Sequence, residues 1–220
     1  MNDGAFIAIE GIDGAGTTSA VERVVAHLRV EGRPVHGTRE PSTGPVGTLI
    51  RQALSHRLVV PSAGGPKAPG WVTMALLFAA DRQDHLEAEV LPLLQQGVTV
   101  ISDRYDLSSL AYQSATSTAG RAPSDAVAFI RELNRHARRP DLTLVLDVSP
   151  GVAAERRRAR GSSRELYEQA ELQARLARAY AEAETLVPGD AVVHIDADQP
   201  LESVVAAALS AMGMMGGRRA

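Results

Sequence analysis

The segment Gly11-Ile-Asp-Gly-Ala-Gly-Thr-Thr18 places three glycines and two threonine hydroxyls within eight residues, after a short apolar run and before a helix-periodic one. Glycines at 11, 14 and 16 let successive backbone N–H groups turn toward one anion. A following helix N-terminus adds partial positive charge, and the Thr18 hydroxyl can ligate Mg²⁺. The chemistry these types predict is capture of a polyphosphate by Gly11, Ile12, Asp13, Gly14, Ala15, Gly16, Thr17 and Thr18. A glycine-rich strand-to-helix turn without a ligand is the other reading of the loop alone. The general pattern G-x-x-x-x-G-K-[ST] has lysine where this chain has Thr17, whose hydroxyl donates one hydrogen bond and carries no charge. Losing one preorganised donor costs about 10²–10³ in rate, so binding is expected to survive better than turnover. Of the 23 basic residues only Lys67 is lysine and the rest are arginine.

Other side chains fall at spacings that suit a polar ligand. Asp103 and Arg104 follow an apolar β-branched run directly, at the strand end where parallel sheets collect ligands; a structural ion pair is the alternative. Phe78 and Arg82 share a helix face, as do Ser108 with Tyr112 and Ser109 with Gln113. Spacing alone favours a core phenylalanine with a snorkelling arginine at the first pair. Arg156, Arg157, Arg158, Arg160 and Arg164 form the densest charge cluster, with 156, 160 and 164 on one face of a continued helix. Such runs are usually solvated, but the Gly161-Ser-Ser163 interruption suggests a hinged lid that could carry arginines onto phosphates.

The elements that must position these residues alternate between the two periodicities. Short apolar strands are expected at 5–9, 35–38, 98–101, 142–146 and 192–195. Helices are expected near 18–30, 46–55, 71–96 with a kink before Pro92, 107–115, 124–138, 150 onward, 165–184 and 200–212. This implies an α/β fold: a five-stranded parallel sheet with helices on both faces. We expect a single domain over 1–213, a lid at about 155–168, a mobile loop at about 60–70 and a disordered tail at 214–220.

Composition narrows the classes further. A net charge of −3 with scattered basic residues argues against a nucleic-acid partner. The absence of cysteine excludes disulfides and thiolate chemistry. No apolar run approaches the roughly 18 residues of a membrane span, so no membrane partner and a cytoplasmic location are expected. The six histidines show no metal-ligand spacing.

Taken in order, the phosphate loop, Thr38-Arg-Glu-Pro41, Leu77-Phe-Ala-Ala-Asp-Arg82, Asp103-Arg-Tyr105 with Ala111-Tyr-Gln113, Pro140 through Asp147, and Ile195-Asp-Ala197 resemble the thymidylate kinase family. The resemblance implies a three-layer P-loop fold that transfers the γ-phosphoryl of ATP, with Mg²⁺, to thymidine monophosphate, in a homodimer. It implies a substrate pocket of Arg39, Glu40, Pro41, Arg51, Phe78, Arg82, Arg104, Ser108, Tyr112 and Gln113, with Arg51 on the monophosphate. It also implies adenine near Ala197, and catalytic roles for Asp13, Asp103, Arg104, Arg156, Arg160 and Arg164. With Gly14 after Asp13 the chain is similar to the members that carry their arginine in the lid. Arg164-Glu-Leu-Tyr-Glu168 departs from the usual lid sequence, which leaves open which arginine reaches the nucleotide. A weakened or non-catalytic nucleotide-binding relative, and a kinase for another small acceptor, are the competing readings.

Overall fold

Five short runs become β1 (Phe6–Glu10), β2 (Val35–Arg39), β3 (Thr99–Asp103), β4 (Leu142–Asp147) and β5 (Val192–Asp196) in the computed structural model, which describes residues 4–117, 123–160 and 170–216. The order is β2-β3-β1-β4-β5 and every neighbouring pair is parallel. A strand buried on both faces must be apolar throughout, and the central β1, β3 and β4 are buried almost end to end. The edge strands β2 and β5 are partly exposed and tolerate His36 and His194. Alternate side chains of β1 enter different cores, as the two-residue repeat of a strand requires. Ile7 and Ile9 pack with Val21, Val24 and Leu28, whereas Phe6 and Ala8 pack with Leu86, Val90 and Tyr105.

The helices are α1 (Thr17–Val30), α2 (Pro45–Leu54), α3 (Trp71–His85), α4 (Leu91–Gln95), α5 (Asp106–Thr116), α6 (Pro123–Leu133), α7 (Pro150–Arg160), α8 (Ala170–Ala181), α9 (Ala183–Leu186) and α10 (Leu201–Gly216). The kink expected before Pro92 takes the form of a π-helical turn at Leu86–Val90 between α3 and α4. Pro92 has no N–H to continue the helical ladder, and a wider turn just ahead of it absorbs the mismatch.

Three boundaries differ from the sequence expectation. The helix expected over 124–138 ends at Leu133, because Asn134 turns inward: its Nδ2 donates to the Ile130 carbonyl at 2.8 Å and its Oδ1 accepts from Arg82 at 2.6 Å. The helix expected over 165–184 is described from Ala170 and gives way to the short α9, while 165–169 lie outside the described residues. Helix α10 runs through Gly216, past the expected end at 212 and into the expected tail; 217–220 are outside the described residues. In the 60–70 loop Val60 and Lys67 form one antiparallel bridge. Of the expected lid, 155–160 belong to α7 and 161–168 are not described.

Candidate active site

Parallel packing lines up the carboxyl ends of the strands, and each of β1, β3, β4 and β5 ends in an acid: Glu10, Asp103, Asp147 and Asp196. The phosphate loop rises from the central one. Gly14 and Gly16 lie at φ 93° and 92°, where a Cβ is strongly disfavoured. Helix α1 starts behind the loop with no side-chain cap on Gly16 and no acid in its first turn. Its leading N–H groups and positive dipole end are therefore left to serve an anion.

A cavity of about 510 Å³ opens above this loop. At one end it is lined by Asp13, Gly14, Gly16, Thr17, Thr18 and Arg156. Toward the other it is lined by Glu40, Pro41, Phe78, Arg82, Arg104, Ser108, Tyr112 and Gln113. Most of the sequence-expected residues thus meet in one space. Gly11, Ile12 and Ala15 are buried beneath the loop. Arg39 is exposed at the end of β2. Arg51 is also exposed and donates to the carbonyls of Pro41 at 2.9 Å and Ser42 at 2.5 Å, so it braces the segment that lines the pocket. Ala197 is buried, and its carbonyl accepts from Arg156 Nη1 at 2.8 Å. The Arg160 side chain and Arg164 lie outside the described residues.

Asp103 sits below the loop, where its Oδ2 accepts from the Thr18 hydroxyl at 2.5 Å. Its Oδ1 is buried without a hydrogen-bond partner among the described residues. A hydroxyl and a carboxylate placed so are the pair that holds Mg²⁺ in phosphate-loop sites, with waters and phosphates completing the shell.

Arg104 is held in the left-handed region at φ 72°, an uncommon conformation for a side chain with a Cβ. Its N–H pairs with the Ile9 carbonyl and its own carbonyl accepts from Ser102, so the backbone is fixed at both sides. Its Nη1 then reaches the Gly11 carbonyl at 2.8 Å and Ser108 at 3.3 Å, and its guanidinium lies 5.4 Å from the Tyr112 ring centre. Burial works against this charge, but Tyr112, Tyr180, Asp103 and Glu10 more than offset it and hold the guanidinium ionised.

Glu10 is the residue the sequence reading passed over. It is buried and accepts from the N–H groups of Tyr105 and Ser108, the Ser108 hydroxyl at 2.5 Å and the Tyr180 hydroxyl at 3.2 Å. A charged residue ending a central apolar strand was the available signal. Burial raises its pKa from 4.5 to about 7, despite the lowering effects of Ser108, Arg104 and Tyr105. Because the folded value lies above the unfolded one, the native state binds the extra proton, and stability falls as pH rises from about 4.5 to about 7. The slope should shrink in Glu10→Gln, measured as urea midpoints at pH 5 and pH 8; an unchanged difference between the two midpoints would exclude Glu10 as its source.

Arg82 is fully buried beneath the far end of the cavity. It pairs with Glu40 at 2.6 Å and Asn134 at 2.6 Å, donates to Ser109 at 3.1 Å, and lies 5.0 Å from the Tyr105 ring centre. It stacks on Tyr105 and not on Phe78, which is half-buried along the cavity wall. Its Nε and the Gln113 Oε1 are buried without hydrogen-bond partners among the described residues.

A five-stranded parallel sheet with a phosphate loop on its central strand, flanked by arginines and a Thr–Asp pair, defines a P-loop nucleotide-binding fold. Comparison with known proteins narrows the class. The sequence profile of the thymidylate kinase family matches residues 9–208. A thymidylate kinase of Bifidobacterium longum is 38% identical over 93% of this chain and 95% of its own length. One of Alkalilimnicola ehrlichii is 35% identical over 94% and 91%, and one of Cereibacter sphaeroides is 44% identical over 71% and 68%. The chain belongs to the thymidylate kinase family, and its enzyme class is phosphotransferase. No described helix is long and apolar enough to cross a membrane.

Proposed function

We propose that the chain transfers the γ-phosphoryl of ATP to the 5′-phosphate of thymidine monophosphate. The observation that carries this reading is the single cavity joining the phosphate loop to the chamber of Phe78, Arg82 and Gln113. In that chamber a donor, Arg82 Nε, and an acceptor, Gln113 Oε1, neither with a hydrogen-bond partner among the described residues, suit the carbonyl and imide N–H of a thymine edge. Cytosine presents the reverse order at those two positions.

In the reaction an oxygen of the acceptor phosphate bonds to the γ-phosphorus as its bond to the β–γ bridging oxygen breaks, and ADP leaves. Positioning and charge neutralisation suffice, and no side chain need form a covalent bond. The amides of residues 14–18 hold the donor phosphates, Asp13 orients the acceptor region, and Arg104 with Ser108 and Tyr112 holds the acceptor phosphate and sugar. Thr18 and Asp103, hydrogen-bonded to each other at 2.5 Å, would hold Mg²⁺, which would supply positive charge to neutralise the phosphates. Arg156 reaches the Ala197 carbonyl and walls the adenine end. Family resemblance further supports a homodimer and a cytoplasmic location, and exposed Val72 and Leu76 on α3 are compatible with helices packing face to face.

The test is ADP release measured over a panel of nucleoside monophosphates. Turnover should be highest with thymidine monophosphate, exceed cytidine and purine acceptors by more than about tenfold, and vanish when Mg²⁺ is chelated. Tight ATP binding with no turnover on any acceptor would leave a binding protein and end the catalytic reading.

A further inference from the structure

The phosphate loop lacks its ammonium group, yet guanidinium groups surround it. Going along the loop, the carbonyls of Gly11, Asp13 and Ala15 accept from Arg104 at 2.8 Å, Arg157 at 2.5 Å and Arg156 at 3.5 Å. Alternate carbonyls are thereby met by three different arginines, from the end of β3 and from α7. Two of the three are drawn elsewhere as well. Arg104 faces Ser108, Tyr180 and the Tyr112 ring toward the acceptor end, and Arg156 reaches Ala197 at 2.8 Å and Gln199 at 3.5 Å. Arg157 docks on the loop itself.

Its placement is enforced by backbone packing. A Cβ on Gly14 would lie 2.5 Å from the Ala153 carbonyl oxygen, so α7 rests directly on the loop and delivers Arg157 to its rim. A guanidinium carries five donors in a planar fork, so one bond to a carbonyl anchors it while the rest of the fork can take phosphate oxygens. Thr17, which lines the cavity above the loop, contributes a hydroxyl and no charge.

We propose that Arg157 supplies the cation that Thr17 lacks, docking on the Asp13 carbonyl and neutralising the β- and γ-phosphates of the donor nucleotide. The proposal rests on ATP being that donor.

The test is a double-mutant cycle between Arg157→Gln and Thr17→Lys, with Arg157→Lys as the conservative variant. In the wild-type background Arg157→Gln should lower kcat by about tenfold to a hundredfold, less than the full effect of a lost preorganised donor because Arg104 and Arg156 remain. The KM for ATP should rise while that for thymidine monophosphate stays within about twofold. In the Thr17→Lys background the same change should cost under about threefold, since an ammonium then occupies the position. Arg157→Lys should keep most of the activity, and each Arg157 variant should melt within about 2 °C of its own parent, wild type or Thr17→Lys, so that lost activity is not lost fold. An active wild type with equal losses in both backgrounds, or with no loss on Arg157→Gln, overturns this proposal alone. A wild type that moves no phosphoryl group from ATP sinks the donor assignment and this proposal together.

Discussion

Arg104→Met lowers kcat by about 10²–10³-fold, the size expected when a preorganised donor to the reacting phosphates is lost. Its guanidinium touches both halves of the cavity, through the Gly11 carbonyl on the donor side and Ser108 on the acceptor side. Methionine fills a similar volume without donors, so packing beside Tyr112 is retained and the lost charge dominates. Loss of the cation also removes a lowering influence on Glu10, whose pKa should climb further. Steady-state kinetics with thymidine monophosphate check the prediction, and a fall of less than tenfold would place the transferring charge elsewhere.

Arg82→Met acts on the folded state as well as the pocket. Glu40 has 2% of its side chain exposed and Arg82 1%, and the two are 2.6 Å apart. Removing one member of a buried pair leaves an uncompensated charge, a loss of about 3–5 kcal/mol. For a domain of this length that corresponds to a melting point lower by roughly 6–20 °C. His85 stands 3.5 Å from the other Glu40 oxygen, and carboxylates at Glu40, Glu89 and Asp81 raise its pKa despite burial. A protonated His85 offsets part of the deficit, so the loss is smaller on the acid side of the histidine range and grows as pH rises through it. Adding Glu40→Gln to Arg82→Met should recover part of the melting point because no charge is then stranded. A double variant as unstable as the single would show that packing, and not charge, holds the site.

The positions of the five strands along the chain and the loop between β1 and α1 could be read from the sequence, because burial on both faces forces apolar runs and anion capture forces glycines, whereas the spatial order β2-β3-β1-β4-β5 came only with the fold. Edge strand β2, with Gly37 and His36, was the weakest signal and was still located. Boundaries failed where side chains act over distance: α6 stops at Leu133 because Asn134 answers Arg82, a residue 52 positions away. The site was legible at positions with a local motif and obscure where partners converge from afar. Spacing favoured a core Phe78 with a snorkelling Arg82, yet the fold buries Arg82 fully and ties it to Glu40, Ser109, Asn134 and the Tyr105 ring. Glu10 escaped notice because its four donors come from residues 95 to 170 positions away. Asp103 was singled out by its place at a strand end, but its hydrogen bond from Thr18, 85 positions away, is a tertiary contact that no local motif announces.

The contact between Gly14 and the Ala153 carbonyl leaves no room for even one methyl group between loop and helix. Two parts of the chain separated by 139 residues therefore meet as a single surface, and the loop cannot move toward the foot of α7 unless the helix moves with it. A ligand that pressed the loop in that direction would in this way displace, by steric contact, the arginines that α7 carries.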